Sequence, residues 1–119
     1  PNAEHPITIA PSASRVRVVV GGRVVADTRS ALTLRESDYP AVQYVPREDA
    51  DMTLLERTDN ESYCPYKGEA SYFSIRNGVD QRVDAIWTYE APYDAVAQIK
   101  GYLAFYPDRV DAIEELPLK

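Results

Sequence analysis

Several short β-branched runs follow one another here with no space for a helix between them, and that succession constrains the fold most. Arg15-Val-Arg-Val-Val-Val20 is mirrored by Arg23-Val-Val-Ala-Asp27 across Gly21-Gly22. Two glycines between such runs predict a two-residue hairpin turn, because positive φ is needed at both positions. Ala31-Leu-Thr-Leu-Arg35 alternates again and places Leu32 and Leu34 on one face. A fourth strand is expected at Val42–Val45, closed by Pro46. Parallel pairing needs a crossover of a dozen or more residues, so this succession favours antiparallel pairing.

Before them, Pro1–Ser14 holds three prolines and no periodic pattern. It reads as an N-terminal arm on the surface or over a sheet edge, with residues 15–119 forming one β-rich domain. Initiator methionines are commonly removed ahead of proline, so the natural start is expected close to Pro1.

Downstream, Asp49 is expected to cap a short helical turn carrying Met52 and Leu55. Thr58–Ser62 is polar and turn-like. Ala70–Arg76 reads as a strand, Asn77-Gly78 as a type I′ turn, and Val79–Tyr89 as the returning strand. The spacing of Val96, Ile99 and Leu103 after Pro92 predicts one helix over Pro92–Phe105, stopped by Pro107. Gly101 would weaken that helix by about 1 kcal/mol. The tail from Asp108 onward is mostly charged. The expected architecture is mainly β: about seven antiparallel strands in a barrel-like or tent-like sheet, with one C-terminal helix. An α+β two-layer fold is the alternative.

Composition limits function. Nineteen acidic residues against thirteen basic ones leave a net charge of −6, which argues against a nucleic-acid polymer as partner. One cysteine and one histidine exclude an intrachain disulfide and any zinc site built only from Cys and His. No cofactor or metal is indicated. No run is long and apolar enough to span a bilayer and no secretory signal is evident, so a cytoplasmic protein, monomeric or weakly dimeric, is expected.

Ten of the twelve aromatic residues lie between Tyr63 and Tyr106, and tyrosine outnumbers phenylalanine nine to two. A buried hydroxyl must find a partner, so a core alone would favour phenylalanine. The excess points to a polar-lined cavity. Tyr63-Cys64-Pro65-Tyr66-Lys67-Gly68 is the most distinctive hexapeptide, holding the only thiol and one of three lysines. A lysine near a cysteine favours the nucleophilic thiolate. Its bland alternative is a small buried thiol in a tight turn. A Cys–His pair would have to use His5, which falls in the N-terminal arm and is not expected to meet the thiol.

Four ordered motifs carry a family resemblance. They are Pro46-Arg-Glu-Asp-Ala-Asp-Met-x-Leu-Leu55, Cys64-Pro-Tyr-Lys-Gly68 with Ala70 and Tyr72, Ala85-Ile-Trp87-x-Tyr89-x-x-Pro92, and Leu103-Ala-Phe-Tyr-Pro107. From about Arg15 to Asp111 the chain resembles the bacterial domain of unknown function 427 family, also labelled nucleotidyltransferase-like. That resemblance implies a compact, mostly β protein whose motif residues gather around a shared cleft.

Three functional readings follow. The first is a small-molecule-binding pocket, with Cys64 or Lys67 as the catalytic candidate should chemistry occur. Tyr66, Tyr72, Trp87 and Tyr93 would bind the ligand, and Arg47 would pair with an anionic group on it. The second is a non-enzymatic protein-interaction module presenting exposed tyrosines. The third is a Mg²⁺-dependent, nucleotidyltransferase-like enzyme using Asp49 and Asp51.

Overall fold

The computed structural model describes residues 5–118. Ten strands run β1 (Ile7–Pro11), β2 (Ser14–Val20), β3 (Arg23–Thr28), β4 (Leu32–Glu36), β5 (Val42–Tyr44), β6 (Leu55–Cys64), β7 (Gly68–Asn77), β8 (Asp80–Thr88), β9 (Leu103–Phe105) and β10 (Ala112–Pro117). They form three antiparallel sheets, ordered β1-β4-β5, β10-β2-β3 and β6-β7-β8-β9. The protein is therefore mainly β. The sheets do not close into a barrel; a bridge between Val45 and Leu103 joins the first to the third.

The four-stranded sheet is covered on both faces. Phe73, Ile75, Ile86 and Phe105 pack with Val16, Val18, Val20 and Val25 of the β10-β2-β3 sheet. On the opposite face, Ala70, Tyr72 and Ala104 pack with Leu34 and Tyr44 of the β1-β4-β5 sheet. This double burial accounts for Tyr72-Phe73-Ser74-Ile75, in which four successive residues are buried. A strand with one wet face would alternate instead.

The Gly21-Gly22 hairpin forms as expected, with φ of 57° and 77°. The β7–β8 turn differs. Asn77 stays in the strand, and Gly78-Val79 make the loop with positive φ at Gly78 alone, a pattern of type II′ rather than I′.

The helix expected over Pro92–Phe105, and with it the two-layer α+β alternative, is corrected. Asp94–Ile99 is a 3₁₀ segment kinked at Val96 (φ −124°), Gly101 takes a φ of 77°, and the chain re-enters the sheet as β9. Val96 and Ile99 do bury with Tyr89, but Leu103 packs into the other core cluster. Tertiary partners explain the outcome: the Leu103 amide donates to Val45 O at 2.8 Å, and that of Gly101 to Tyr89 O at 2.9 Å. Those long-range bonds replace the i−4 bonds a continuous helix would make.

Other local expectations shift as well. Ile7–Pro11, read as part of a patternless arm, is a strand paired along β4. Thr58–Ser62 lies within β6 and crosses an irregularity in its pairing with β7 between Arg57 and Glu61. The charged tail contains β10, which pairs along β2. Asp51, not Asp49, caps a 3₁₀ turn by accepting the Thr53 amide.

Candidate functional site

The Cys64–Gly68 loop is a tight turn between β6 and β7, in which the Lys67 amide donates to Cys64 O at 3.2 Å. The turn directs Lys67 inward. Its residue is 6% exposed, and Nζ donates to Glu36 Oε1 at 2.6 Å and lies 5.9 Å from the Tyr89 ring centroid. Glu36 ends β4 and has a second partner, with its Oε2 2.6 Å from His5 Nε2. The His5 imidazole stacks on Tyr66 at 3.7 Å between ring centroids and 7° between planes. Both Tyr66 and Lys67 of the motif thus meet residues from the far end of the first sheet.

Burial pushes the Glu36 carboxyl up, but hydrogen bonds from Lys67 and His5 together outweigh it. The carboxyl is held below its ordinary range. His5 and Glu36 were not identified as site residues from sequence. A signal was present: Ile7-Thr8-Ile9 alternates like a strand, and a strand there carries the only histidine back onto the sheet.

An aromatic group stands beside this ion cluster. Tyr44 is buried and its hydroxyl accepts the Trp87 Nε1–H at 3.1 Å. Trp87 lies 4.5 Å from the Tyr106 centroid, and Tyr106 stacks parallel to Tyr72. The Tyr72 hydroxyl and Ser62 Oγ are 2.7 Å apart. Burial pushes the phenols of Tyr44, Tyr89 and Tyr106 up, so they remain neutral hydrogen-bonding groups. Cys64 is half-buried against the same cluster. Cys64, Tyr72 and Trp87 are brought together on one face of the central sheet, with Tyr66 and Lys67 beside them.

Arg47 is elsewhere. Its guanidinium donates to Gly101 O at 2.7 Å and Glu90 Oε2 at 2.7 Å, and lies 5.4 Å from the Phe73 centroid, on the opposite face. Arg57 also binds Glu90. The fork expected to meet an anionic ligand is occupied by the protein's own groups. Tyr93 is exposed and hydrogen-bonded to Tyr63, while its amide donates to Lys67 O at 3.0 Å. Asp49 accepts from Thr28 Oγ1 at 2.7 Å and Asp51 from Thr53, so both acids serve local structure.

A groove of about 600 Å³ lies where the three sheets meet. The β4–β5 loop contributes Tyr39, Pro40 and Ala41, and β5 with the residue after it contributes Val42, Gln43 and Val45. The second contributes Val16, Val18, Ile113 and Glu115, and the central sheet supplies Trp87 and Phe105. Of the site residues expected from sequence, only Trp87 lines it. No helix among the described residues is long and apolar enough to cross a membrane.

A search among curated proteins finds no match. A family model covers residues 8–116, and the four motifs quoted above fall within it. The chain belongs to the family described as Domain of unknown function (DUF427).

Proposed function

We propose that the protein binds a small, predominantly apolar molecule in the groove at the junction of its three sheets. The groove itself carries this reading. Its volume of about 600 Å³ falls in the range of small-molecule sites, roughly 300–1,000 Å³. Its walls are chiefly valine, proline, alanine and aromatic carbon, with a few polar groups at the edges. Such a surface left to water loses the hydrophobic free energy that a fitting ligand would recover. Trp87 is half-buried with its indole nitrogen engaged by Tyr44, so it offers the groove ring carbon rather than a donor.

Within this reading the Cys64–Gly68 loop has a positioning role. Lys67 is engaged with Glu36, and neither Lys67 nor Cys64 lines the groove. The ion cluster instead anchors the β6–β7 turn to the end of β4, whose following loop supplies Tyr39 and Pro40 to the groove wall.

Trp87 is the only tryptophan, so its emission reports on the groove directly. Titration with the neutral probe N-phenyl-1-naphthylamine should quench it saturably. Ala41→Gln, at an exposed position on the wall, should weaken that binding severalfold while leaving the fold intact. Quenching that never saturates, or that ignores Ala41→Gln, would remove the groove from consideration.

A further inference from the structure

We propose that the groove selects an organic cation: an apolar body carrying one ammonium or similar positive head, seated against Glu115. This deepens the groove reading and rests on it. Among the described residues no lysine, arginine or histidine lines the groove; besides the Tyr39 phenol and the Trp87 indole, its polar side chains are Gln43, Asp111 and Glu115.

The two carboxylates are not equivalent. Asp111 is already compensated, with Oδ1 accepting from Arg82 at 3.0 Å and Oδ2 from the Gly21 amide at 2.7 Å. Those bonds hold its carboxyl below the ordinary range, the backbone amide contributing most. Glu115 differs. It pairs across the sheet with Val16, and Ile113 on the same strand pairs with Val18. Directly opposed residues project from one face, so Glu115 shares the face of two fully buried valines. The neighbouring Glu114 projects the other way and bonds Arg17 at 2.8 Å. Among the described residues, Glu115 makes no such pair.

A carboxylate at the lip of an otherwise apolar groove discriminates by charge. It attracts a cation, repels an anion, and is indifferent to a neutral head. Trp87, Tyr39 and Phe105 add aromatic faces, which attract organic cations as well as apolar groups. The net charge of −6 reinforces the sign, since the whole-molecule field concentrates cations near the surface. The same argument reverses the anionic ligand expected from Arg47.

The test uses three ligands with one tail, each below its micellar concentration: decyltrimethylammonium, decyl tetraethylene glycol ether and decyl sulfate. Binding is read from Trp87 emission with the whole protein. The cation should bind about tenfold tighter than the neutral ether, and the sulfate weaker than both. Glu115→Gln should remove most of the preference for the cation while leaving affinity for the ether unchanged, and added salt should weaken only the cation. Equal affinity for cation and ether, or no effect of Glu115→Gln, overturns the charge selection and leaves the apolar groove standing. Saturable binding of none of the three overturns the groove reading itself.

Discussion

The Glu36 cluster makes an asymmetric prediction that can be worked out from its geometry. Glu36 has two cationic-side partners, Lys67 and His5, whereas Lys67 has one carboxylate partner among the described residues. Replacing Lys67 by Met leaves Glu36 bonded to His5, so the loss should be modest, about 1–3 kcal/mol. Replacing Glu36 by Gln leaves the Lys67 ammonium without a countercharge in a site 6% exposed, with only a neutral amide oxygen and the Tyr89 ring 5.9 Å away. Breaking a buried pair from that side costs about 3–5 kcal/mol. A domain of this size loses roughly 4 °C of Tm per kcal/mol, so Glu36→Gln should lower Tm by roughly 12–20 °C. The double variant removes both charges, and its destabilisation should fall short of the summed single effects by at least about 1 kcal/mol. Urea unfolding of the four proteins at pH 7 measures all three quantities. Additivity within about 0.5 kcal/mol, or a larger loss for Lys67→Met than for Glu36→Gln, would refute the cluster as described.

Two further outcomes follow from the same structure. Because Glu36 has a depressed folded-state pKa, the folded protein binds fewer protons there than the unfolded chain. Its contribution is present above the ordinary glutamate value of about 4.3 and is lost as pH falls through the folded value. Urea midpoints followed from pH 7 to 3 should therefore show the gap between the natural protein and Glu36→Gln closing on acidification; a constant gap would contradict this. Gly101 gives a separate test, since a Cβ there meets open space and only its φ of 77° opposes a side chain. Gly101→Ala should destabilise by about 1–2 kcal/mol, read as a lower urea midpoint. The same change in a continuous helix would stabilise by about 1 kcal/mol, so the sign alone decides between the two conformations.

Lys67 and Tyr66 were legible as candidate site residues because a Pro and a Gly bracket them in a motif that only a fixed turn satisfies. Their partners were not, since Glu36 lies 31 residues from Lys67 and His5 another 31 from Glu36. Nothing in local spacing selects Glu36 over the other acidic residues. The groove was illegible for a related reason. Its wall comes from three sheets, and of the ten aromatic residues between Tyr63 and Tyr106 only Trp87 and Phe105 line it. Arg47 shows the converse: its residue type suited an anionic ligand, but Glu90 and the Gly101 carbonyl took the guanidinium.

By itself the sequence determined the antiparallel β character, the Gly21-Gly22 hairpin and the absence of room for a crossover. These follow from φ preferences and side-chain alternation within a few residues. Tertiary structure decided the rest. Val96, Ile99 and Leu103 carry a helical spacing, yet the Leu103 amide is bonded to Val45 and the residues beyond Gly101 complete a sheet edge. Thr58–Ser62 looks like a turn yet lies within β6, because β7 pairs with Arg57 before the irregularity and with Glu61 and Ser62 after it. A backbone amide must bond somewhere, and when the available carbonyl lies on a distant strand, local periodicity cannot name it.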